Sequence, residues 1–105
     1  MELESYTFVL LRRPPNAPEL PEHELDALQE RHLAYLDELR ASGVLAVAGP
    51  FTDQPDEALR GFCLYRVGID EARALAEADP SVQAGRLAVD VMTWLTRRGA
   101  VAFPG

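Results

Sequence analysis

Cysteine is almost missing from this chain. Among 105 residues Cys63 stands alone, so no disulfide can form within the chain and no cysteine-based metal cage can be built. Lysine is missing altogether, and every basic side chain is an arginine or a histidine. Ten arginines face 17 acidic residues, for a net charge of −7. That balance argues against a nucleic-acid partner, which calls for a basic footprint. No apolar run reaches the ~18 residues of a membrane span, so no membrane partner is expected. The start, Met1-Glu2-Leu3-Glu4, is acidic where a signal peptide is basic, and the expected location is cytoplasmic. There is no internal repeat and no recognisable cofactor motif. The two histidines, His23 and His32, do not have the His-x-x-x-His spacing of a metal site. Neither a cofactor nor a metal is expected.

Hydrophobic residues are plentiful by contrast, at 48% of the chain, enough for one folded domain spanning 1–105. Tyr6 to Arg12 is rich in β-formers and reads as the first strand. Arg13 to Pro21 carries prolines at 14, 15, 18 and 21 and reads as a stiff extended connection. Its length suits a functional lid or a variable surface loop. The first helix is expected from about Glu22 to Ser42, with Gly43 as its stop. Val44 to Ala48 reads as the second strand, ended by Gly49-Pro50, and Gly61 to Val67 as the third. A short second helix, Glu71 to about Ala78, is expected behind an Asp70 N-cap, with one further turn over Ser81 to Gly85. Leu87 to Thr96 reads as the last strand, followed by an apolar tail, Val101-Ala102-Phe103, that should dock.

The order β-α-β-β-α-β is the ferredoxin-like α+β arrangement, a sheet with both helices on one face. Every strand is nonetheless apolar on both faces. The face without helices then needs a cover, and a second copy of the chain is the simplest one, which predicts a homodimer.

One position in the first helix is out of pattern. At about 100° per residue, Leu25, Leu28, Leu36 and Leu39 share a face with Tyr35 at its edge, and His32 falls in the middle of that stripe. Asp79 is out of place in the same way, sharing the apolar side of the second helix with Ala72, Leu75 and Ala76. A histidine exchanges protons near neutral pH, and a carboxylate on one ring nitrogen fixes its tautomer. His32 and Asp79 are therefore the candidate catalytic pair. A buried structural histidine and an ordinary helix cap account for the same two residues.

The segment Arg31-His32-Leu33-Ala34-Tyr35-Leu36-Asp37-Glu38-Leu39, then Gly43, then Ala48-Gly49-Pro50, resembles the YciI-like (YCII-related) family. Ala78-Asp79-Pro80-Ser81-Val82-Gln83-Ala84-Gly85 is similar to that family's Asp-Pro segment, and Trp94 to its closing strand. The resemblance spans nearly the whole chain. It implies a dimeric α+β barrel, a His–Asp site at His32 and Asp79, and, for some members, small-molecule enzymes of the lyase type.

The remaining candidates have plainer roles to compete with. Arg12 and Arg13 could hold an anionic substrate group, or be solvated cations beside a loop. Tyr6 and Tyr65 could line a pocket, or simply pack in the core. Gly49 and Pro50 could touch a ligand, or only shape the end of the second strand. His23 should be exposed. Cys63 reads as a core residue, and Ser42 and Ser81 have no nucleophile-elbow context. Two readings result. One is an enzyme that acts on a small organic molecule by lyase-, isomerase- or hydrolase-type proton transfer without a cofactor. The other is a non-catalytic small-molecule-binding or accessory module of the same fold.

Overall fold

The computed structural model describes residues 1–104. The elements run β1 (Leu3–Arg12), α1 (Glu22–Ala41), β2 (Leu45–Pro50), β3 (Leu59–Tyr65), α2 (Ile69–Glu77), α3 (Pro80–Gln83) and β4 (Ala88–Arg97). The four strands form one sheet in the order β2-β3-β1-β4, with every neighbouring pair antiparallel. This is the α+β, ferredoxin-like topology that the element order predicts.

Strand alternation separates two faces. Thr7, Val9 and Leu11 of β1 stand opposite Tyr65, Cys63 and Gly61 of β3, and Val9 and Leu11 stand opposite Val91 and Val89 of β4. This face packs under the helices. Val9, Cys63, Tyr65, Leu45, Leu39, Ala72 and Ala76 form its buried centre. The one polar intruder, Thr7, donates its hydroxyl to the Val67 carbonyl at 2.7 Å.

The other face carries Tyr6, Phe8 and Leu10 beside Trp94, Met92 and Phe62, and no helix covers it. Its rings pack on one another instead. Phe8 stacks on Phe62 at 5.0 Å, and Tyr6 lies 6.0 Å from Trp94. The apolar tail docks here, with Phe103 meeting the Tyr6 ring edge-on at 5.5 Å. Met92 and Trp94 still leave about two-fifths of their surface exposed, at 43% and 38%.

Several expected boundaries shift, each for a local reason. β2 does not stop before Gly49-Pro50 but runs through Pro50. It can do so because β2 is an edge strand, where a proline forfeits no ladder bond. β3 is set two residues earlier than expected and ends at Tyr65. Asp70 is not the N-cap of α2. The helix begins at Ile69 behind Gly68, and Asp70 sits with Glu71 in the first turn, where a negative charge suits the helix dipole. Asp79 is not on the face of α2, which ends at Glu77. Pro80 disfavours helical backbone in the residue before it, so Asp79 adopts ψ 132° and caps α3. Gly43 closes α1 in the left-handed region, at φ 87°.

Candidate active site

The site is built where α1 packs against β2 and α3. Leu28, His32 and Leu39 are the buried residues of α1. The same helical spacing that sinks the leucines carries His32 inward, to 8% exposure. Asp79 is brought to it by the break between α2 and α3, and is 3% exposed.

His32 Nδ1 lies 2.7 Å from Asp79 Oδ2. The second oxygen of Asp79, Oδ1, accepts the Ser81 backbone N–H at 2.8 Å. Both oxygens of the carboxylate are thus engaged, one by the ring and one by the first turn of α3. A carboxylate accepting Nδ1–H leaves the lone pair of the neutral ring on Nε2. No fully buried side-chain nitrogen or oxygen among the described residues lacks a partner. Nε2, which has none among the described residues, is therefore not fully buried, and His32 lines a cavity.

That cavity has a volume of about 490 Å³. Its walls come from α1, from Ala48, Gly49 and Pro50 of β2, and from the segment around Ser81 and Leu87. Gly61 of β3 is part of the floor, and its lack of a side chain lets the β2 backbone come close. A Cβ there would overlap the Gly49 carbonyl oxygen and lie 3.0 Å from Pro50 Cα.

The ionisable groups beside the pair are held neutral. Burial pushes the Cys63 thiol up to about 12, with the Asp79 charge adding to the effect. Burial likewise raises Tyr65, helped by Cys63, Tyr35 and Asp79. Tyr35 is raised by burial and then by Asp79 and Glu38. Its hydroxyl is committed to the Leu75 carbonyl at 2.7 Å. A buried thiol this hard to ionise is a poor nucleophile. Among the described residues, no three His, Cys, Asp or Glu side chains gather in a metal-holding group. No helix among them is long and apolar enough to cross a membrane.

The model of the YCII-related domain matches residues 7–95. The chain belongs to the YCII-related family. No curated protein matches this YCII-related chain. Among solved structures, it is similar to 5-chloro-2-hydroxyhydroquinone dehydrochlorinase from Burkholderia phenoliruptrix, in complex with 2,5-dihydroxybenzoquinone. The two are 26% identical, over 88% of this chain and 91% of that one, with a TM-score of 0.55.

The residues singled out in the YCII-related sequence do not all meet. His32, Gly49 and Pro50 line the cavity, and Asp79 stands behind His32. Tyr65 is buried in the core beneath them and does not line it. Tyr6 and Arg12 lie across the sheet. They share the strand parity of Phe8 and Leu10 and therefore point to the helix-free face. Arg12 is spent there in a two-pronged pair with Asp90, at 2.6 and 2.9 Å. Arg13, one residue on, is the arginine that reaches the cavity. It is joined by Arg60, Arg86 and Ser81, none of which the sequence pattern marks as inward-facing. His23 is exposed.

Proposed function

We propose that this YCII-related protein is a cofactor-free enzyme that uses His32 as general base and acid, with Asp79 orienting the ring, on a small oxygenated ring or carbonyl compound. One observation carries the reading: a histidine anchored at 2.7 Å through Nδ1, with its other nitrogen left over, lines a cavity of ligand size. The dehydrochlorinase among its structural relatives supports a lyase-type reaction and a small quinone-like ligand.

In an elimination from such a hydroxylated ring, one hydroxyl proton first moves to the ring carbon that bears the leaving group, turning that hydroxyl into a carbonyl. His32 Nε2 then takes the proton of a second ring hydroxyl, the electron pair of the broken O–H bond forms a second C=O, the adjoining ring double bond shifts, and the leaving group departs with the pair of its own bond. The imidazolium is stabilised by the Asp79 carboxylate and returns its proton to water. The neutral Cys63 and Tyr65 do not compete for that proton. The working unit in this proposal is a cytoplasmic homodimer joined through the helix-free face, where Phe8, Phe62, Met92 and Trp94 give a second copy an apolar surface.

The first assay is chloride release from 5-chloro-2-hydroxyhydroquinone, followed by a panel of related ring compounds. Turnover that is lost in both His32→Gln and Asp79→Asn while the fold is retained is the expected result. Full turnover in both variants would sink the mechanism. Variants that only lower the melting temperature of a protein with no turnover would favour the binding-module reading. Light scattering at micromolar concentration tests the dimer, and a monomer there contradicts it.

A further inference from the structure

The chain carries a net charge of −7, yet its cavity lining is basic. Ten arginines are outnumbered by 17 acids in the sequence. In the cavity lining the ratio reverses, with Arg13, Arg60 and Arg86 facing a single carboxylate, Asp26. Three guanidiniums gathered from positions so far apart in the chain repel one another unless something negative joins them. The strain registers on Arg13, whose affinity for its proton is lowered by burial first and then by Arg86 and Arg60.

Each guanidinium is also held in place by the backbone. Arg13 Nε donates to the Arg86 carbonyl at 3.1 Å. Arg86 Nη1 donates to the Pro18 carbonyl at 3.0 Å. Arg60 Nη1 donates to the Glu57 carbonyl at 3.0 Å. Neither Arg13 nor Arg86 has a carboxylate partner among the described residues. Arg60 has a loose one, with 3.7 Å to a Glu57 side chain that is 90% exposed. A guanidinium has five N–H donors in a fixed fork, so each of the three keeps most of its donors after making its backbone bond. The proline-rich connection of residues 13–21 has a part in this. It supplies Arg13 at one end and, through Pro18, the clamp on Arg86.

We propose that Arg13, Arg60 and Arg86 form an anion subsite at the cavity rim that selects substrates bearing a carboxylate-like group, with charge shared between two oxygens, and seats the rest of the molecule toward His32. This rests on the proton-transfer reading for what happens at His32, but not for the binding itself. A fork of donors matches two oxygens that share a charge better than it matches a point acceptor. The subsite therefore works as a selector, and a neutral analogue of the same shape leaves three cations without their partner.

The test is a calorimetric titration of the full-length protein with benzoate and, separately, with benzamide, its neutral counterpart. Benzoate is expected to bind and benzamide to bind about tenfold or more weakly. Arg60→Gln and Arg86→Gln should each weaken benzoate about tenfold and leave benzamide unchanged. Arg86→Gln gives up its bond to Pro18, so Arg60→Gln serves as the variant least tied to the framework, and Arg60→Lys should recover part of the loss. Equal affinity for the two probes, no benzoate binding at millimolar concentration, or unchanged benzoate affinity in both glutamine variants would overturn the proposal. His32→Gln separates the two readings. It should bind benzoate normally while losing turnover, and benzoate affinity lost there but kept in the arginine variants would place the anion elsewhere.

Discussion

Two carboxylates in this molecule hold a basic partner at nearly the same distance, one on each side of the sheet. Asp79 meets His32 at 2.7 Å under the helices, and Asp90 meets Arg12 at 2.6 Å on the bare face. The side chains of the first pair are 11% and 4% exposed, for His32 and then Asp79. Those of the second are 37% and 43%, for Arg12 and then Asp90. The Arg12–Asp90 pair joins two adjacent strands at a spot water can reach, and its geometry serves attachment. The His32–Asp79 pair joins two helical segments where water is scarce, and its base is an imidazole with a second ring nitrogen left over. The contacts are alike in length, so burial and the identity of the base are what separate the exposed fastener from the candidate site.

Substitution at Asp79 should break the comparison most sharply. Asp79→Asn keeps an oxygen for the Ser81 N–H but no longer holds Nδ1–H as a charge, and turnover should fall about a thousandfold or more with the fold intact. Kinetics on the folded variant check this. Asp79→Ala removes both bonds and strands the buried ring, so it should cost about 3 kcal/mol in denaturant unfolding. On the bare face, Arg12→Gln should leave turnover unchanged and shift the unfolding midpoint little at physiological salt.

The smallest effect is in acid. The hydrogen bond from Arg12 holds the Asp90 carboxyl below its ordinary value. A carboxylate depressed in the folded state stabilises it above the unfolded value, and that contribution fades as pH falls through the folded one. The acid limb of the stability curve should therefore be slightly shallower in Arg12→Gln than in the parent, as measured by urea midpoints across the carboxylate range.

How much of this was legible beforehand depends on what kind of signal each feature leaves. The element order and the histidine on a leucine stripe are periodic features, and periodicity is local, so α1 and His32 could be read from the sequence. Asp79 was legible as a residue, but the reason offered for it, a place on the face of α2, was incorrect. Pro80 acts one residue upstream, takes Asp79 out of helical geometry and makes it a cap. Tyr6 and Arg12 were misplaced for a different cause. Alternation says that Arg12 and Arg13 point to opposite faces, but not which face is inside when both are apolar. Arg60 and Arg86 left no local mark at all, because their convergence is a matter of sheet order and loop path.

The floor of the cavity has a consequence for how such a site can change over generations. Gly61 cannot take on even one carbon without striking the Gly49 carbonyl, so no substitution there reshapes the pocket without prising an edge strand from its neighbour. The opposite rim belongs to residues 13–21, a connection outside the sheet ladder that length changes can alter at modest entropic cost. Substrate range in relatives of this chain should therefore drift through insertions and arginine exchanges at the rim while the floor stays fixed. A mutagenesis library seeking new substrates is best concentrated on that connection.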